Sequence, residues 1–390
     1  MGFILVVNAG SSSLKFALLD PSTGERAAEG IVERIGEASG AASYQGKGDK
    51  QELEQPIPDH AAAFVLAGEL MAADGQPEPV GVGHRVVHGG DRLTRPVVID
   101  EAVIAQIEAC VPLAPLHNPG ALSGIRAAQE HYPAVNHVAV FDTAFHATMP
   151  AAAREYAIDR QVAREHSIRR YGFHGTSHRY VSRQAAKYLD RAAEDTNVIV
   201  LHLGNGASAC AVRGGKSVET SMGVTPLEGL VMGTRSGDID ASVPVMLARA
   251  GWDSDAVDDL LNRRGGLKGL CGDNDMREIS TRVAAGDEDA ELARQVMIHR
   301  LRKYLGAYSF VLGRVDAVVF TAGIGEHNSW TRREVCRDLA GFGIEIDEVA
   351  NENLGDDITR ISTLNSPTVV LVIPTDEELA IGRDAAEFVH

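Results

Sequence analysis

Cysteine is scarce in this chain. Its four cysteines, Cys110, Cys210, Cys271 and Cys336, show neither paired spacing nor a metal-ligand pattern. That excludes a disulfide scaffold and a thiolate metal centre, and fits a reducing compartment. Long apolar runs are missing as well. The N-terminal run from Phe3 to Val7 has no basic flank and is too short for a signal peptide or a membrane span. Gly2 is followed by Val6, where a myristoylation signal needs Ser or Thr. A cytoplasmic protein is the expectation. Basic residues are outnumbered, 37 against 54 acidic for a net charge of −17, so neither nucleic acid nor an anionic membrane is an expected partner. Any anion bound here must be held by local groups.

At 390 residues the chain exceeds the limit of about 250 to 300 residues for one core, which predicts two domains. The segment "FILVVNAGSSSLKFALLD" places a Gly- and Ser-rich turn between two strand-like runs. Such a hairpin tip offers unobstructed N–H groups and hydroxyls to phosphate oxygens, although a plain hairpin would read the same way. A second copy, "NVIVLHLGNGASACAVRGG" at 197–215, lies about half a chain further on. The repetition suggests two related domains, each presenting a phosphate turn to a shared cleft, with Asn8 and Asn205 at similar tips. The second turn fits a dinucleotide fingerprint in letters, but a returning strand follows where a helix is required. "GGKS" at 214–217 lacks the first glycine of a P-loop, because Cys210 stands there.

Later segments carry further signals. "VDAVVFTAGIGEHNSWTRREV" reads as a buried strand, a Gly-rich turn from Ala322 to Glu326 and a helix, an arrangement suited to a nucleotide. Residues 292–312 and 102–111 have helical spacing and read as core. Residues 36–60 are polar and irregular and read as an exposed excursion. Thr375 and Glu378 stand at capping-box spacing, leaving Asp376 and Glu377 to serve the helix dipole or a hydrated Mg²⁺.

In "GVGHRVVHGGD" the spacing reads as a strand, so Arg85 and Val87 share a face. A guanidinium beside a valine suits a small carboxylate with an apolar tail; a surface ion pair is the alternative. Asp142 in "FDTAFH" falls at a strand end, where an α/β sheet meets its ligand. "RRYGFHGTSHRY" sets His174 beside Phe173 in a turn before a helix whose cap reads as Thr176 or Ser177. Arg235 lies between Gly233 and Gly237 in "TPLEGLVMGTRSGDID". It reads as a cation on a flexible loop, as phosphoryl transfer would use, or as part of an ion-paired structural loop.

Together with "PLHNPG", "HLGNGAS", "GDNDMR", "TAGIGEHN" and "PTDEELAI", these motifs run in order along nearly the whole chain, and the chain resembles the acetate kinase family of the actin, heat-shock-protein and sugar-kinase superfamily. The resemblance implies an α/β protein of two duplicated actin-like (ribonuclease-H-like) domains with an interdomain cleft, divided as residues 1–146 plus 375–390 and residues 147–374. It implies reversible, Mg²⁺-dependent phosphoryl transfer from ATP to acetate in a homodimer, with Mn²⁺ as a substitute metal. By motif, Asn8 and Glu377 would lie at the metal. Lys15 and the turn His202, Leu203, Gly204, Asn205, Gly206 would meet the ATP phosphates. Asp275, Met276, Arg277, Gly323, Ile324, Gly325, Glu326 and His327 would contact the nucleoside. Arg85 would hold the acetate carboxylate, and Val87, Leu116, Phe173 and Pro226 its methyl group, with His117 nearby in support. His174 and Arg235 would stabilise the transferring phosphoryl. A carboxylate acceptor is already ionised at neutral pH, so Asp142 is read as an organiser of Mg²⁺, its waters or an arginine in a direct in-line transfer.

The chain departs from the family pattern at Asp91, Gly120, Ala241, Ala322 and His327, where Glu, Pro, Pro, Gly and Asn are usual. Rival readings are a propionate or butyrate kinase, a sugar kinase, and an ATP-driven conformational protein of the actin and chaperone kind.

Overall fold

Short apolar runs become the central strands of two sheets in the computed structural model, which describes residues 2–389. The chain separates into two units, one comprising the chain up to Ala147 with the segment from Asp376 onward, the other Thr148–Thr375.

In the first unit, β1 (Ile4–Ala9), β2 (Ser13–Leu19), β3 (Arg26–Glu33), β4 (Gly40–Gln45), β5 (Gln51–Gln55), β6 (Gly81–Val86), β7 (Val97–Val98) and β8 (Asn136–Phe141) form a sheet in the order β5-β4-β3-β2-β1-β6-β8-β7. In the second, β9 (Asn197–Leu203), β10 (Ala207–Arg213), β11 (Lys216–Thr220), β12 (Ala317–Thr321), β13 (Thr359–Arg360) and β14 (Val369–Val372) form a sheet in the order β11-β10-β9-β12-β14-β13. Six strands of the first sheet, β3-β2-β1-β6-β8-β7, repeat the pattern of the second: an antiparallel meander of three, two strands added in parallel, and an antiparallel edge. The first sheet carries β4 and β5 beyond that pattern. Hairpins suffice for the meander, while the parallel strands need helical crossovers. The fold is thus mixed α/β with a duplicated sheet.

Central strands covered on both faces read as continuous apolar runs. In β1, Leu5 and Val7 join a core with helix His60–Ala73, while Ile4 and Val6 pack on the opposite face with Leu379, Ile381 and Ala385 of helix Glu377–Ala386. The last helix therefore belongs to the first sheet.

The structure corrects several sequence expectations. Residues 40–55 are not an irregular excursion; β4 and β5 extend the first sheet as a hairpin. All of β5, "QELEQ", is exposed, and its charges suit an edge strand, which must resist pairing with other chains. The glycine-rich stretch after β12 is a short helix, Ala322–His327, followed by helix Ser329–Cys336, which Asn328 caps through the Thr331 N–H at 2.8 Å. The Thr375/Glu378 capping box does not form. Asp376 caps that helix through the Leu379 N–H at 2.9 Å, Glu378 is paired with Lys15, and the Thr375 hydroxyl is bonded to Ser177. Helix Gly175–Tyr188 starts not from a Thr176 or Ser177 cap but from His174, whose φ is +55°.

Ala322 sits at φ +63°, in the left-handed region. A left-handed alanine costs about 1–2 kcal/mol, and glycine's extra flexibility when unfolded takes back about 0.5–1 kcal/mol. Ala322→Gly is therefore expected to stabilise the protein by roughly 0.5–1 kcal/mol, read as a rise in the urea midpoint at unchanged m value. An unchanged or lowered midpoint would refute the strain.

Candidate active site

In the first unit the chemistry gathers at the C-terminal ends of parallel strands. Gly83 and Arg85 alternate onto the face that helix Glu377–Ala386 covers, and a Cβ at Gly83 would stand 2.9 Å from Ile381. Arg85 is thereby carried to the helix's first turn, with its Nε 3.9 Å from Glu377. Asp142 immediately follows β8, the parallel neighbour of β6. It accepts Arg85 Nε at 3.1 Å and Nη2 at 2.6 Å and is itself buried. One edge of the guanidinium fork is thus committed to Asp142, and the Nη1/Nη2 end is left for a second carboxylate.

The electrostatics follow from that packing. Burial opposes the charge on Arg85, but the carboxylates of Asp142 and Glu377 outweigh it and hold the guanidinium more firmly protonated than an ordinary arginine. Glu377 moves the other way, from 4.5 up to about 6. Burial is the main cause; attraction by Arg85 opposes it, and repulsion from Asp142 and Glu378 adds to it. Asn8 and Lys15 face each other across the first hairpin. Lys15, expected at the ATP phosphates, is exposed and paired with Glu378. No group of three or more His, Cys, Asp or Glu side chains among the described residues is arranged as a metal cage. Of the expected acyl contacts in this unit, Val87 is half-buried just beyond β6, His117 is half-buried before helix Asn118–His131, and Leu116 is exposed.

In the second unit the centre is the tip of the β9–β10 hairpin, Gly204-Asn205-Gly206. A Cβ placed on Gly206 would lie 3.4 Å from Arg235 Nη2 and 3.5 Å from His174 Nε2, so three residues singled out in the sequence meet at one turn. Asn205 is exposed and accepts from Asn274 at 2.9 Å. The His174 ring stacks on His202 with centroids 4.2 Å apart, and its Nδ1 lies 2.9 Å from Ser208 Oγ. Leu203 and Phe173 are buried, and Pro226 is half-buried.

Arg235 is held on a pinned loop, not a flexible one. Asp238 accepts the Gly229 N–H at 2.8 Å and the Tyr304 hydroxyl at 2.8 Å, while Arg300 donates to the Gly229 carbonyl at 2.8 Å. At Gly237, φ +68°, a Cβ would stand 2.3 Å from the Leu230 carbonyl oxygen, so the backbone there has room for glycine alone. Nor is Arg235 ion-paired among the described residues: it donates to the Pro226 carbonyl at 2.7 Å, and burial, with no opposing carboxylate, lowers its pKa. A partly buried guanidinium without an acid beside it is a site for an anion.

The nucleoside candidates divide. Asp275 caps helix Met276–Ala284 through the Arg277 N–H and pairs with the Arg277 side chain at 2.6 Å, which pulls its carboxyl down to about 2. Met276 is buried. Glu326 accepts the N–H groups of Ala322 at 2.7 Å and Thr375 at 3.1 Å. Gly325 is buried, Gly323 and His327 are exposed, and Ile324 lines a narrow apolar crevice with Leu203, Gly204 and Met232.

Residues 3–383 match the model of the Acetokinase family. The chain belongs to that family. It is 55% identical to an acetate kinase of Streptomyces coelicolor over 97% of this chain and 95% of that protein. Among solved structures, an acetate kinase of Porphyromonas gingivalis superposes with a TM-score of 0.95 at 41% identity, covering 100% of both chains. A propionate kinase of Francisella tularensis superposes at 0.94 with 43% identity, covering 99% of this chain and 100% of the other. The family is one of phosphotransferases with a carboxyl acceptor.

Sequence reasoning missed Ser208, Ser177 and Asn274. The signal for Ser208 was present: His174 and His178 stand four apart across a helix start, so both rings can reach one partner. Nothing in the sequence marked Asn274 as the partner of Asn205.

Glu377 generates a pH prediction for the metal-free protein. Its carboxyl holds a proton up to about pH 6 when folded against an ordinary value of 4.5, so its contribution to stability is complete below pH 4.5 and is lost as pH rises through 6. Glu377→Gln is expected to stabilise the protein at pH 8 by up to about 2 kcal/mol relative to the parent, with the gap closing near pH 4.5, measured by urea unfolding. A gap independent of pH would count against the assignment.

Proposed function

We propose that this chain transfers the γ-phosphoryl of ATP to acetate, reversibly and in line, giving acetyl phosphate and ADP. The observation that carries the reading is the pair of nitrogens, Arg235 Nη2 and His174 Nε2, flanking Gly206 at a hairpin tip. In phosphoryl transfer the charge spreads over three equatorial oxygens, and fixed donors at that position stabilise it without reorganisation. Arg235 fits the role because the protein supplies no carboxylate to neutralise it.

On the acceptor side, the Nη1/Nη2 end of Arg85 holds the acetate carboxylate, and Asp142 fixes the guanidinium by its other edge. Acetate enters ionised, so no base is required. Val87, Leu116, Phe173 and Pro226 supply the apolar contacts for the methyl group, with His117 in support. Gly323, Ile324 and His327 meet the nucleoside, while Asp275 and Glu326, both engaged in backbone contacts, shape the surface around it. Gly204, Asn205 and Gly206 offer their backbone to the phosphates, with Lys15 contributing its charge once released from Glu378.

Asn8 and Glu377 fit a hydrated Mg²⁺, which takes one or two carboxylates with water and phosphate oxygens and needs no protein cage. The donor chemistry agrees, since Glu377 carries a desolvated charge that Arg85 only partly offsets. Bound there, Mg²⁺ would neutralise phosphate charge. We further propose a homodimer in the cytoplasm. Helix Ser242–Arg249 buries none of its residues, and Val245 and Met246 stand exposed beside Ile239 and Trp252, an apolar face suited to a second copy. The four cysteines are all buried thiols, in keeping with a reducing compartment, and among the described residues no helix is long and apolar enough to cross a membrane.

Propionate is the second reading, favoured by the structural match to a propionate kinase; one methylene separates the acids by only about 1–3 kcal/mol in an apolar site. Acyl phosphate formed from ATP and Mg²⁺ with acetate, propionate or butyrate decides between them. Highest kcat/KM with acetate is expected, and a higher value with propionate would overturn it. Arg235→Ala is expected to lower kcat by at least about 100-fold, and Arg85→Ala to raise mainly the acetate KM; unchanged acetate kinetics in Arg85→Ala would remove the carboxylate role. Met246→Glu is expected to shift the sedimentation coefficient from dimer towards monomer, and an unaltered dimer would place the interface elsewhere.

A further inference from the structure

Two histidines share one serine in the second unit. Ser208, fully buried in β10, has its Oγ 2.9 Å from His174 Nδ1 and 2.7 Å from His178 Nε2. A serine hydroxyl carries a single hydrogen, so at least one of the two rings must supply the hydrogen of its own contact. The tautomers of the two histidines are therefore coupled through one side chain.

The direction of the chain matters at its far end. His174 Nε2 faces the Gly206 tip beside Arg235 Nη2. If His174 gave its hydrogen to Ser208 from Nδ1, a neutral ring would turn a bare lone pair towards the phosphate oxygens and repel them. If Ser208 instead donates to Nδ1, the ring hydrogen sits on Nε2 and points to the same place as the Arg235 donor. Ser208 can donate to His174 while accepting from His178 Nε2–H.

We propose that Ser208 is a positioning residue, which with His178 fixes His174 in the tautomer bearing its hydrogen on Nε2. The hydrogen-bond chain then runs from His178 Nε2–H to Ser208 Oγ, and from Ser208 O–H to His174 Nδ1. The stack of His174 on His202, 4.2 Å between centroids, holds the plane of the ring while Ser208 sets its rotation and its hydrogen. His202 is itself tied at Nδ1 to Ser177 Oγ, 2.8 Å away. This inference rests on the reading of His174 as a donor to the transferring phosphoryl.

The test compares the parent, Ser208→Ala, Ser208→Thr and His174→Ala in steady-state kinetics with acetate and MgATP, alongside ¹⁵N spectra of the histidine rings. The parent is expected to show the Nε2-protonated pattern for His174. Ser208→Ala is expected to lose about 10- to 100-fold in kcat, the range typical of outer partners of a ring nitrogen, with the acetate KM nearly unchanged and the His174 pattern altered. Ser208→Thr, which keeps the hydroxyl, is expected to recover most of the kcat. An Nδ1-protonated His174 in the parent overturns the proposal, and so does a Ser208→Ala enzyme with parental kcat; the parent's spectrum decides the matter even if the variants do not fold. If His174→Ala retains full kcat, the donor reading of His174 fails, whatever Ser208 does.

Discussion

A strand buried on both faces must be covered on both sides, and in the first unit that requirement reaches across the whole chain. Ile4 and Val6 face one way and Leu5 and Val7 the other. Burying each such side chain is worth about 1.5–3 kcal/mol. Helix His60–Ala73 serves one face, while Leu379, Ile381 and Ala385 of the returning C-terminal segment cover the other. Their return sets the first turn of helix Glu377–Ala386 beside Arg85 and converts a packing demand into an electrostatic cluster of Arg85, Asp142 and Glu377.

In the second unit two arginines are well supplied with acceptors, and Arg235 stands in contrast to them. Arg170 donates to Glu228 at 2.5 Å and to the carbonyls of Thr220, Ser221 and Met222. Arg332, fully buried, is met by Asn351 and the carbonyls of Gly325 and Glu326; burial still draws its pKa down to about 10. Among the described residues, Arg235 has one carbonyl and no acid. A loop pinned by Asp238, Tyr304 and Arg300 holds it there, so its isolation is a built feature.

What was legible in the sequence is what local pattern controls. Continuous apolar runs marked β1, β9 and β12, the small residues between paired runs marked both hairpin tips, and Asp142 announced itself at a strand end. Elsewhere tertiary partners overrode the local signal. Glycines at 323 and 325 argue for a turn, yet Glu326 and Arg332 anchor that stretch as a helix. Thr375 and Glu378 had capping-box spacing, but each has another partner, so Asp376 caps instead. An edge strand such as β5 is polar because water covers it, and polarity alone resembles a loop. The bond from Arg85 to Asp142 spans 57 positions, a separation that no periodicity encodes.

Glu377 and Arg235 represent opposite charges left incompletely satisfied by their own units. Glu377 retains a proton to about pH 6 because burial disfavours its charge by more than Arg85, which is shared with Asp142, offsets, while Arg235 is desolvated without a carboxylate. Both conditions lower the stability of the ligand-free chain, and under the proposed function each would be relieved by a ligand of the complementary sign: a cation at the carboxylate, a phosphoryl group at the guanidinium. Binding of MgATP would therefore return free energy that folding leaves unspent. If phosphoryl charge moves towards the equatorial oxygens during transfer, as proposed, the donors at Gly206 would gain most at that moment, which is the differential binding that lowers a barrier.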